Sequence, residues 1–150
     1  MNFLEEYFKG YLLNGRIHFP KQFNSNIAFV NIIVFGLTSL IMFFFYEPLG
    51  YLFFLILMTS TESDANISGN DLCNKVVQKL DMIVIAITII VLFLKTNIFY
   101  GLFLIPIILV HHWKRNAKDP EEYEIKMNIW HFVASIVAIF VITIYSLTHI

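Results

Sequence analysis

The chain has 150 residues, of which 58% are hydrophobic, 17% aromatic and 14% charged, with a formal net charge of −1. This composition, with a mean hydropathy of +0.72, excludes an ordinary soluble domain, in which about a quarter of the residues are charged. A core of this size cannot bury so much apolar surface, so lipid must cover part of it. The near-zero charge gives no reason to expect a nucleic-acid partner. The single cysteine, Cys73, excludes an intrachain disulfide and a cysteine-based zinc knuckle, and is expected to be a small buried side chain.

The sequence predicts an all-α, polytopic transmembrane bundle of four to five membrane segments, forming one integral membrane domain over residues 1–150. Over residues 1–20, Phe3, Leu4, Tyr7, Phe8, Tyr11 and Leu12 share one helical face and Glu5, Glu6 and Lys9 the other. That pattern fits an N-terminal amphipathic helix lying in the membrane interface, or one packed on the protein's own bundle. Residues 27–46 are long and apolar enough to span. Gly36 within them suits close helix packing. Pro48 fits the first turn of a new helix over residues 48–60, which either crosses or re-enters. The Ser/Thr/Asn-rich stretch 59–72 reads as a loop, and residues 75–94 as a helix that is polar for its first two turns. Residues 98–112 form the next apolar segment, with Pro106 expected to kink it. Asp119 and Pro120 mark the cap and first turn of a short solvated helix. The last span covers residues 129–149, where Ala134, Ser135 and Ala138 form a small-residue face suited to contact between helices, including those of a second copy.

Positive charge orients the chain. With five segments, Lys9, Arg16, Lys21, Lys75, Lys79, Lys114, Arg115, Lys118 and Lys126 fall on the side of the N-terminus, and only Lys95 falls opposite. The positive-inside rule then makes the N-terminus cytoplasmic, and a bacterial inner (cell) membrane is the expected location. Trp113 and Trp130 are expected as interface anchors on that side, and Tyr46, Tyr51 and Tyr100 on the other.

Four groups suited to chemistry fall near one depth on the cytoplasmic side: Asp81, His111, His112 and His131. Ionisable groups within membrane segments point to function by default. One carboxylate and two imidazoles could hold zinc or another divalent metal, or sense pH, and only one of the adjacent His111 and His112 can face a shared site easily. The plain alternative is that all four are solvated interfacial residues. No HExxH, GxSxG or phosphate-binding glycine motif is present.

Trp130-His131 with the upstream Asp81 resembles, at those positions alone, the membrane hydrolases of the alkaline ceramidase and adiponectin-receptor group. The resemblance would imply a zinc held by three histidines on seven helices, and this chain is too short for that fold, so no membership follows from it.

With nearly all its mass in the bilayer, the chain is expected to be a non-enzymatic membrane protein. It would act by homo-oligomeric assembly, as a channel or pore subunit or a membrane-perturbing effector. The alternatives are a membrane-embedded metal-dependent hydrolase using the Asp/His set, and a scaffold docking a soluble cytoplasmic partner at residues 114–126.

Overall fold

A computed structural model describes residues 23–149, without the side chains of Asp71 and Arg115. The amphipathic helix expected over residues 1–20 lies outside the described residues. Five α-helices follow in order: α1 (Ser25–Phe45), α2 (Glu47–Ala65), α3 (Asp71–Lys95), α4 (Leu104–Arg115) and α5 (Pro120–Thr148), with a 3-10 segment (Ile98–Phe103) leading into α4. No strand occurs among the described residues. α1, most of α3 (Leu72–Lys95) and α5 are long and apolar enough to cross a membrane, and Ile98–Lys114 is a shorter apolar helix. The protein is thus an all-α membrane-type bundle.

The helices alternate in direction and pack as an arc. α2 lies between α1 and α3, and α5 lies between α1 and α4, while α3 and α4 meet chiefly through the 3-10 segment. Large apolar side chains such as Phe44, Leu94 and Leu109 cover the outside, as expected of a surface facing lipid. The tightest joint is α1 against α2. A Cβ on Gly50 would come within 2.5 Å of the Phe43 ring, and the Ser39 hydroxyl donates to the Gly50 carbonyl at 2.8 Å. Pro48 occupies the first turn of α2, where a missing N–H costs nothing.

Several boundaries differ from the sequence reading. Residues 59–65 are not loop but the last two turns of α2, which ends only at Asn66 in the left-handed conformation. Their polar side chains find partners in the bundle: Thr61 donates to the Leu57 carbonyl, and the Thr59 hydroxyl is within hydrogen-bond distance of the Leu55 carbonyl and of Asp81 on α3. α3 begins four residues earlier than expected, capped by the Asn70 side chain. The helix opening at Asp119-Pro120 is not short. Asp119 caps it through Glu122 N at 2.8 Å, and it runs unbroken to Thr148. Pro106 falls in the first turn of α4, at the switch from 3-10 to α geometry, rather than inside a continuous helix. Cys73 is exposed, not buried.

One end of the bundle carries the starts of α1, α3 and α5 and the ends of α2 and α4. Asn24 N donates to the Ala65 carbonyl at 2.9 Å there, and Asn24 and Asn26 both donate to Glu124. Lys75, Lys79, Lys114, Lys118 and Lys126 belong to this lysine-rich end. At the opposite end Lys95 lies over the Tyr46 ring at 4.9 Å and the Tyr145 ring at 6.0 Å, where cation and ring attract.

Candidate functional site: a buried ionisable layer

The interior toward the lysine-rich end is polar. Buried there are Asn31 on α1, Ser60, Ser63 and Asp64 on α2, Asn74, Gln78 and Asp81 on α3, His111 and Lys114 on α4, and Lys126 and His131 on α5. Burying such groups is expensive unless they are paired or hydrogen-bonded.

Its centre is a pair. Asp64 Oδ2 and His131 Nε2 are 2.9 Å apart, with both side chains 0% exposed. An ionised Asp64 accepts this bond, so Nε2 carries the hydrogen and Nδ1 presents a lone pair. Nδ1 has no partner among the described residues. The Ser63 hydroxyl donates to the other Asp64 oxygen at 3.2 Å. The rings of Phe35, at 5.1 Å, and Trp130, at 5.2 Å, wall the imidazole. Lys114 and Asp81 are the further charged groups close enough to act on it.

A polar stripe runs along α3 from beside this centre toward the lysine-rich end. Asn74, Gln78 and Asp81 recur at i, i+4 and i+7, on one face of α3. The Asn74 amide donates to the Glu62 and Ser63 carbonyls at 2.7 and 3.3 Å, and Gln78 donates to Asn74 Oδ1 at 2.6 Å. Thr59 and Ser60 donate to Asp81 Oδ1 at 2.8 and 2.6 Å. The other half of the interior is mostly apolar, built around Phe35, Phe53, Ile56 and Leu92, and its buried hydroxyls on Thr38, Ser39 and Thr88 each donate to a backbone carbonyl.

The residues singled out in the sequence are distributed unevenly over this site. Asp81 and His131 both belong to it, but the carboxylate that His131 contacts is Asp64, which the sequence reading placed in a loop. His111 is buried with its ring 5.6 Å from that of Trp130, while His112 is on the exposed face of α4. Trp130 is buried, only 5% exposed, with Lys114 Nζ 4.1 Å from its ring. Trp113 is exposed, with Lys126 Nζ at 4.9 Å. Lys126 also pairs with Glu122 at 2.7 Å. Ser135 and Ala138 are buried and Ala134 half-buried within the protomer. Gly36 lies in a groove between α1 and α2, where an added Cβ would meet open space. Among the described residues no three histidine, cysteine, aspartate or glutamate side chains converge as a metal site would require. Asp64 could have been found from Ser60 and Asp64 at i, i+4, facing the Asn74–Gln78–Asp81 stripe.

Fold and site together define a class: an integral membrane helix bundle with an ionisable layer buried toward one end. No family model matches the chain, and no curated protein or solved structure matches it.

Proposed function

We propose that this is a proton-binding membrane protein, in which the Asp64–His131 pair takes up and releases a proton reached from the lysine-rich side. The single observation behind this reading is the pair itself, 2.9 Å apart and sealed from solvent. Charge counting supports it. Lys126 is offset by Glu122, its partner at 2.7 Å; of the remaining buried charges, Asp64 and Asp81 as carboxylates and Lys114 as an ammonium leave one negative charge in excess, and one further proton makes the layer neutral. Histidine is the side chain suited to carry that proton near neutral pH. The Asn74–Gln78–Asp81 string leads toward the layer from the lysine-rich end, and among the described residues the half beyond Phe35 and Ile56 holds no comparable run of side-chain amides and carboxylates. One-sided access suits a proton-controlled switch or carrier better than a pore running through one protomer. A pore between several copies would have to use other faces of the bundle. With α5 starting at Pro120, the open connector between α4 and α5 is residues 116–119, a small platform for a soluble partner.

Orientation follows the charge bias. The lysine-rich end, and with it the N-terminus, faces the cytoplasm of a bacterial-type cell membrane.

Proton counting tests the proposal. Purified protein in unbuffered nanodiscs is acidified from about pH 8 to about pH 5 and its uptake is read with a pH dye. The wild type should bind about one proton more than His131→Gln in this window. Equal uptake would remove the pair as a proton site. Metal analysis of the same sample separates this reading from a metal-dependent one.

A further inference from the structure

His131 Nε2 is engaged with Asp64 at 2.9 Å, so an added proton has Nδ1 as its landing place. Nδ1 is buried and has no partner among the described residues. The same holds for both polar atoms of the Asn31 side chain, on a residue 0% exposed, and for the buried Ser135 hydroxyl. Buried polar groups normally find partners. Orphaned atoms on two helices packed together point to a contact that forms among them.

The register of α1 and α5 decides which atoms can meet. Both helices start at the lysine-rich end and run parallel, and near their starts the Asn24 amide donates to Glu124 at 2.8 Å. Seven residues further along each helix, two turns and about 10 Å away on the same face, come Asn31 and His131. One turn beyond them are Phe35 and Ser135. A helical side chain leans toward its own N-terminus, and the Phe35 ring does so here, reaching the imidazole at 5.1 Å. Asn31, one turn before Phe35 on that face, is therefore level with His131.

α1 carries no ionisable group between Ser25 and Phe45, and its buried Thr38 and Ser39 hydroxyls already donate to carbonyls. The amide is thus what α1 has to offer the imidazole. The charged groups acting on the imidazole from the other elements are Asp64 on α2, Asp81 on α3 and Lys114 on α4. His111 of α4 lies against the neighbouring Trp130 ring, and Lys126 of α5 is held by Glu122.

We infer that Asn31 is the second partner of His131 and holds the proton in place. Its amide N–H donates to the Nδ1 lone pair of the neutral ring, and its carbonyl accepts from Nδ1–H once the proton is bound. Uptake forms one N–H bond from that lone pair and the incoming proton, while Nε2–H stays on Asp64 and the amide turns end for end. An amide serves both states of the ring. An aliphatic side chain would leave Nδ1–H without an acceptor, and a further carboxylate would add charge to a layer that already holds two. Asn31 is a positioning residue, and protonation through it changes the bond between α1 and α5 while the bond between α2 and α5 stays. The inference rests on the proton-binding reading of the Asp64–His131 pair.

The test is magic-angle-spinning NMR of the full chain in lipid bilayers, with isotope-labelled histidine and asparagine, at about pH 8 and about pH 5. Val30-Asn31 and Trp130-His131 each occur once as residue pairs in the sequence, so selective labelling assigns both signals without a variant. His131 should carry hydrogen on Nε2 alone at the higher pH and on both nitrogens at the lower. Nδ1 should contact the Asn31 side-chain carbonyl carbon at both, and the amide signals should shift as donor gives way to acceptor. Asn31→Leu, close in volume, should weaken proton binding roughly tenfold, and Ser135→Ala should leave it unchanged. A titrating His131 without the Asn31 contact, an unchanged affinity in Asn31→Leu, or a loss that appears in Ser135→Ala instead would overturn this role of Asn31. Each of those results leaves the Asp64–His131 pair as the proton site. A His131 that stays neutral at the lower pH would overturn the proton-binding reading and this inference with it.

Discussion

Asp64 and His131 are 67 positions apart in sequence and 2.9 Å apart in space, each the other's contact across the α2–α5 interior. Their pairing is what permits α2 to carry a carboxylate into the bundle. Removing Asp64 takes from the buried His131 its carboxylate partner, and breaking a buried pair in this way typically costs about 3–5 kcal/mol. Asp64→Leu should therefore destabilise the protein by that order, measured by thermal unfolding in detergent. The double variant Asp64→Leu/His131→Leu should cost less than the sum of the two single changes, since it removes both members of the pair. Additive losses would show that the two residues do not act as a pair.

The native cysteine reports orientation without engineering. Cys73 is exposed at the lysine-rich start of α3, and it is the only cysteine in the chain. A membrane-impermeant thiol reagent should leave it unlabelled in intact bacterial cells and label it in inverted vesicles. Labelling in intact cells would reverse the orientation.

The placement of Ala138 makes a different prediction from a contact between copies. It is buried within the protomer. Ala138→Leu should act inside the protomer, through overpacking of about 1–3 kcal/mol. The species seen by mass determination in detergent should not change. A shift to smaller species would return this face to the surface between copies.

The polar string makes a kinetic prediction. Gln78 bridges Asn74 toward Asp81 on the buried face of α3. Gln78→Leu should slow proton equilibration of the layer after a pH jump while leaving the final uptake unchanged. Equal rates in both proteins would place the path elsewhere.

How much of this was legible in the sequence can be read from particular residues. The apolar runs gave the long helices, and Asp119-Pro120 and Pro48 gave helix starts, because caps and prolines act locally. Residues 59–65 misled, because a polar composition signals water only when no other helix offers partners. Here α3 supplies Asp81 to Thr59 and Ser60, and α5 supplies His131 to Asp64. The burial of Trp130 was hidden for a related reason. Aromatic residues near a membrane boundary read as anchors, and only the packing of α5 against α1 and α4 shows that this one faces inward.

The most direct measurement uses the contact between His131 and Trp130. The imidazole lies edge-on to the indole at 5.2 Å, and His111 lies 5.6 Å from the same indole. Protonated imidazole quenches indole fluorescence. The chain has two tryptophans, so a Trp113→Phe/His111→Gln background leaves Trp130 to report on His131, with Asp64, Asp81 and Lys114 as the charged groups around it. Acidification in nanodiscs should quench this fluorescence with one titration. Asp64→Asn should displace its midpoint by about 1–3 pH units, and His131→Gln should abolish it. A titration that persists in His131→Gln, or none at all in the background protein, would contradict a proton held by this pair.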